Sequence, residues 1–186
     1  MKEHRHVANI LEETKKAVRD FDITTLKNLS NETIHSAAIY QDTDNILIAV
    51  IVYALSKLIE RKEDYKSKSF EKYLDYYLKT LEFSKECISK NDCDAFRDRL
   101  NEIMNVPGLS ENIKTNVLDV FRKAKINKAS KIYEHGISME ATSKLLGISM
   151  WELSEYVGQS QISEMKENKT FDVKKRIKIA MEFFNK

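Results

Sequence analysis

The sequence predicts an all-α protein: an N-terminal helical bundle followed by a C-terminal helix-turn-helix domain. Three observations carry that expectation. Gly (4) and Pro (1) are scarce in 186 residues, which leaves little material for the tight turns of a sheet. Lys, Glu, Ile and Leu are abundant, a mixture that with the scarcity of Gly and Pro favours helices. Apolar residues recur at three- and four-residue spacing along the chain. With 42% hydrophobic and 32% charged residues, a packed core is expected and disorder is not.

The spacing of Val7, Ile10, Leu11, Thr14, Ala17 and Val18 predicts a first helix from Glu3 to Asp20. In "LSNETIHSAAIY", Ser30 or Asn31 offers a cap ahead of a stripe of Ile34, Ala37 and Ala38. Asp44 can cap the next helix, Ile46–Glu60, which is apolar nearly all round and belongs at the centre of a bundle. Its longest apolar run, Ile46–Leu55, is ten residues, half the roughly 20 that a bilayer requires. No membrane association is therefore expected. After the charged connector "ERKEDYKSKS", a long helix from about Ser69 to Lys90 buries Phe70, Tyr73, Leu74, Tyr77, Leu81 and Ile88. Asp92 opens a shorter one with Phe96, Leu100, Ile103 and Met104. "VPGLS", Val106–Ser110, places the proline beside a glycine and marks a domain boundary, dividing the chain into 1–108 and 109–186. Ser110 caps a further helix through Ile113, Val117, Phe121 and Ala124 toward Glu134.

Charge is distributed unevenly over the two parts. The net charge is +2 overall, but residues 1–108 hold 17 basic against 19 acidic groups, and 109–186 hold 14 against 10. A surface facing phosphate is expected in the second part. Cys87 and Cys93 stand six apart, a spacing that fits neither a zinc knuckle nor a redox pair. Two thiols and a polar start without an apolar signal segment point to the cytoplasm.

The stretch "KASKIYEHGISMEATSKLLGISMWELSEYVG" reads as three helices. Ala129, Ile132 and Tyr133 form the apolar face of the first, which Gly136 ends. Ser138 caps the second, whose Leu145 and Leu146 point inward. Small Ala141, Thr142 and Ser143 stand where another helix must come close. Gly147 sits where the chain needs a positive φ to stop and turn. Ile148 plugs the angle, Ser149 caps the third helix, Leu153 and Val157 pack it down, and Gly158 terminates it. This order of small residue, glycine, aliphatic plug and cap is a helix-turn-helix pattern.

The core "HGISMEATSKLLGISMWELSEYVG" resembles prokaryotic, mostly archaeal, helix-turn-helix proteins. Small antitoxins that partner PIN-domain ribonuclease toxins share a similar core. The resemblance covers Ala129–Gly158. The upstream "LSNETIHSAAIYQDTDNILIAVIVYALSKLIER" also looks like a segment of uncharacterised archaeal proteins carrying this module. The resemblance implies a DNA-binding transcriptional regulator or antitoxin-like protein. Ser143 departs from it, standing where an alanine is usual.

The third helix is acidic, which is unusual for an element meant to lie on DNA. Its outward face holds Ser149, Trp151, Glu152, Ser154 and Glu155, the candidate base-facing residues, and no Lys or Arg. A Glu can accept from a cytosine amino group and a Ser can read either base edge. Phosphate contacts must then come from elsewhere. The candidates are Lys123, Lys128, Lys131 and Lys144, with Arg122 and Lys125, and Lys174, Lys175, Arg176 and Lys178 in the basic terminal segment. In this reading the partner is double-stranded DNA, bound by a homodimer on a symmetric site. In the alternative, the module grips a toxin or other protein, with Trp151 as an aromatic anchor. Under either, Trp151 can also pack against the final helix.

That segment, "FDVKKRIKIAMEFF", spaces Phe171, Val173, Ile177, Ala180, Met181 and Phe184 as a helix, suited to a phosphate clamp, a dimerisation helix or simple packing. His4 and His6 form an HxH, but alternate helical residues face different ways. His35, Asp42 and Asp44 are close in sequence, yet the aspartates serve better as caps and His35 as a helix–helix contact. His135 stands at a helix end, where a cation favours the dipole. Tyr73, Tyr76 and Tyr77 read as a mostly buried strip. Phosphate loops, nucleophile elbows and zinc-protease motifs are missing, so no catalysis, metal or cofactor is expected.

Overall fold

The computed structural model describes residues 4–40, 42–65, 67–90, 92–103 and 111–165. The described residues form eight α-helices and no strand, so the protein is all-α. In order these are α1 (His4–Arg19), α2 (Ile23–Tyr40), α3 (Thr43–Glu60), α4 (Ser67–Ser89), α5 (Cys93–Glu102), α6 (Glu111–Glu134), α7 (Met139–Leu146) and α8 (Met150–Met165). A single turn of 3₁₀ helix, Lys62–Asp64, bridges α3 and α4. Among the described residues no helix is long and apolar enough to cross a membrane.

The central helix is α3. Thirteen of its residues are buried, from Asp44 to Ile59, because neighbours cover it from several sides: α2 and α6 chiefly, α5 and α1 less. A fully buried Leu or Ile contributes about 1.5–3 kcal/mol through lost contact with water, so a helix this apolar holds its neighbours together. α4 packs on α1 and α5, and the buried Tyr77 hydroxyl donates to the Ile51 carbonyl of α3 at 2.9 Å. The expected apolar faces of α1 and α4 are all buried, including Val7, Leu11, Val18, Tyr73 and Leu81.

Two caps lie elsewhere than expected. Ser30 does not open a helix; it is inside α2, buried, with its hydroxyl donating to the Ala49 carbonyl at 2.7 Å. A small hydrogen-bonding residue there lets α2 approach α3 closely. The start of α2 is set instead by Asp22, whose carboxylate accepts from the Thr25 amide at 3.0 Å and the Thr25 hydroxyl at 2.6 Å. Likewise Asp42, not Asp44, caps α3, accepting from the Asp44 amide at 3.0 Å. Asp44 is buried in the first turn and takes two hydrogen bonds from Arg97 of α5, at 2.6 and 3.0 Å. That fork ties α5 to the start of α3.

The expected boundary at 108/109 falls outside the described residues, as does Ser110. On either side of it the core is continuous, because α6 buries Ile113, Val117, Val120, Phe121 and Ala124 and packs along α3.

Candidate nucleic-acid interface

The last three described helices are joined by two glycine turns. Gly136 closes α6 with φ +87°, and Ser138 then caps α7, accepting from the Ala141 amide at 3.2 Å. Gly147 ends α7 in the left-handed region, φ 62° and ψ 42°, and its amide donates to the Ser143 carbonyl. A Cβ added there would meet nothing within 4 Å. Glycine is favoured by the backbone angle alone and not by crowding.

Thr142, Ser143 and Leu146 are buried in a helix that packs on both α6 and α8; Ala141 is exposed and Leu145 half-buried. The Ser143 hydroxyl is buried without a hydrogen-bond partner among the described residues. An alanine would leave no hydroxyl unsatisfied at this position. Ile148 is half-buried and packs against the core.

α8 opens with a reciprocal cap. The Ser149 hydroxyl accepts from the Glu152 amide at 3.2 Å, while Glu152 Oε2 accepts from the Ser149 amide at 3.1 Å and its hydroxyl at 2.7 Å. The other oxygen, Oε1, receives Arg122 Nε and Nη2 from α6 at 3.0 and 2.5 Å. The Arg122 hydrogen bonds, followed by those from Ser149, draw the Glu152 carboxyl down to about 2. Sequence reasoning found the Ser149 cap but not the returning Glu152; Ser-x-x-Glu is the signal of this paired cap. Leu153 and Val157 are buried as expected, and the half-buried Tyr156 hydroxyl accepts from Asn127 Nδ2 at 2.9 Å. Gly158 does not end the helix, which continues to Met165 because nothing there requires a left-handed turn.

The expected base-facing set divides. Trp151 is 79% exposed, and Ser154 and Glu155 are exposed beside it. Ser149 and Glu152 are occupied with the cap, and Glu152 also with Arg122. Met150, 53% exposed, joins the outward face. A hollow of about 300 Å³ beside the turn is lined by Leu118, Phe121, Arg122, Gly147 and Ile148, among others.

The expected phosphate contacts divide too. Lys123, Lys131 and Lys144 lie toward solvent, each within 2.7–2.8 Å of a carboxylate of its own helix, Asp119, Glu134 and Glu140. Such surface pairs are weak and are readily exchanged for a phosphate. Lys128 does not belong in the set. It is wholly buried, with Nζ 2.9 Å from Asn31 Oδ1 and 4.3 Å from the centre of the Tyr53 ring, because its place on α6 faces α2 and α3. Lys174, Lys175, Arg176 and Lys178 lie outside the described residues.

Among the described residues, His35, Asp42 and Asp44 do not assemble into a chemical centre. Asp42 and Asp44 are engaged in the cap and the Arg97 fork, while the His35 ring stands 5.0 Å from that of His135. Among the described residues no three His, Cys, Asp or Glu gather as a metal site. In comparisons with known proteins, no family model, no curated protein and no solved structure matches the chain.

Proposed function

We propose that the chain is a DNA-binding regulator, antitoxin-like in kind, in which α7 and α8 form a helix-turn-helix. The observation that carries this reading is the open outer face of α8. The helix is anchored on α6 by Leu153, Val157 and the Arg122–Glu152 clasp, while Trp151, Ser154 and Glu155 remain exposed. A helix held from behind and bare in front suits insertion into a major groove. Lys144 and Lys123, with Lys174, Lys175 and Arg176 of the terminal segment, supply the phosphate contacts. A cytoplasmic homodimer places two such helices on a symmetric site.

One observation favours a second reading, a protein partner such as a toxin. The exposed face of α8 from Met150 to Gln159 has no cation, and two large apolar side chains, Met150 and Trp151, project from it. Interfaces between proteins use such aromatic anchors.

Retention of mixed genomic duplexes on the full chain across a salt series separates the two. Binding that weakens steeply with salt supports the DNA reading, and replacing Lys174, Lys175 and Arg176 by Ala then lowers the slope by up to about 3. Absence of salt-sensitive retention at low ionic strength removes it and leaves the protein partner.

A further inference from the structure

A different face of α6 forms, with α3 and α8, an open pocket of about 320 Å³. That volume is at the small end of sites that take small molecules. Its interior is apolar, formed by buried Val120 and Ala124 and by the rings of Tyr53 and Tyr156. Its rim is cationic: Lys57, Arg61 and Lys123 line it, and among the described residues no carboxylate does. Lys57 and Lys123 are already paired, with Glu60 and Asp119. Arg61 is exposed and makes no side-chain hydrogen bond or ion pair among the described residues. Beside the Tyr53 ring lies Lys128, a buried ammonium hydrogen-bonded to an amide oxygen rather than a carboxylate.

An apolar hollow with a cationic rim and an uncommitted guanidinium is the complement of an organic acid anion. The guanidinium fork matches a carboxylate in two parallel hydrogen bonds. The hollow removes an aliphatic or aromatic tail from water. We propose that this pocket binds a small organic carboxylate, its tail between Tyr53 and Tyr156 and its head on Arg61, with Lys57 and Lys123 flanking. The walls come from α3, α6 and α8, so the occupant joins the central helix to the helix that carries Trp151. Lys123 is shared with the phosphate contacts of the DNA reading, whereas Arg61, Lys57, Tyr53 and Tyr156 serve neither reading of α8, so the head and tail contacts can be tested separately from it.

Calorimetric titration of the full chain with octanoate, hydrocinnamate and octanol tests it. Saturable binding of at least one acid at one site per chain is expected, with octanol about tenfold weaker or worse because it lacks the charged head. Arg61→Ala, a surface change, weakens the acid about tenfold while circular dichroism stays the same. Val120→Trp fills the hollow and abolishes uptake. Failure of both acids to saturate, octanol binding as tightly as octanoate, or an Arg61→Ala variant with unchanged affinity would each overturn the proposal.

Discussion

The Arg122 guanidinium donates twice to one oxygen of Glu152, from Nε at 3.0 Å and Nη2 at 2.5 Å, while the other oxygen closes the Ser149 cap. One acidic residue of α8 is thereby accounted for without DNA. It fixes the start of the helix and clasps it to α6.

The clasp has a pH signature. Glu152 titrates near 2 in the folded chain against an ordinary 4.5. A carboxyl lowered by folding stabilises above its unfolded value, and that contribution disappears as pH falls from about 4.5 toward 2. Glu152→Gln should therefore unfold at a lower temperature than the parent at pH 7, and the gap should close as pH approaches 2. Thermal midpoints of both proteins between these limits measure it. Glu12, Asp22 and Glu60 are also lowered by their partners, but they act equally in both proteins and cancel in the difference. A gap that stays constant with pH would show that the ionised clasp contributes nothing.

Lys128 supplies the opposite dependence. Burial lowers its ammonium from 10.5 to about 8, with the charge of Lys131 adding to the effect. Below about 8 the folded chain holds a charged amine away from water at a cost; between 8 and 10.5 it releases a proton that the unfolded chain keeps, so stability rises with pH. Lys128→Met has no such group. It should match or exceed the parent at pH 7, by up to about 3 kcal/mol if the shift is fully expressed. Its advantage should shrink as pH rises through that window. Denaturant unfolding of both proteins at pH 7 and pH 10 reads the difference directly. A parent clearly more stable than the variant at pH 7 would mean that the Asn31 hydrogen bond and the Tyr53 ring outweigh desolvation.

The same residue shows where the sequence is readable and where it is not. The apolar stripes of α1 and α4, the all-round apolar α3 and the Gly147 turn are periodic or single-residue signals, and each depends on its own helix alone. Lys128 is a surface residue by type; only the approach of α2 and α3 to α6 buries it. Asp44 has the composition of a cap but becomes an ion-pair partner because Arg97, 53 residues on, reaches it. Ser30 is hidden in the same way, its role set by a carbonyl of the next helix. Of the outward face of α8, the exposure of Trp151, Ser154 and Glu155 follows from helical spacing, whereas the engagement of Glu152 depends on Arg122 across a tertiary contact. The pocket between α3, α6 and α8 has no local signature, since its lining residues come from three separated segments.

Trp151 allows the two surfaces of the proposed interface to be separated. Its side chain is 79% exposed, so Trp151→Ala should leave the unfolding midpoint nearly unchanged, within about 0.5 kcal/mol of stability. If the ring contacts bases, duplex affinity should fall about tenfold or more, the cost expected of an aromatic anchor of about 2 kcal/mol. The salt slope should stay the same, because the indole carries no charge to displace counterions. Lys144→Ala should do the reverse. Its ammonium is exposed and only loosely held by Glu140, so its loss should lower the slope by about 1 and weaken all sequences alike. Fluorescence anisotropy with labelled duplexes at several salt concentrations distinguishes these patterns. A midpoint lowered by several degrees in Trp151→Ala would instead place the indole against the protein's own chain, and α8 would then lose its open face.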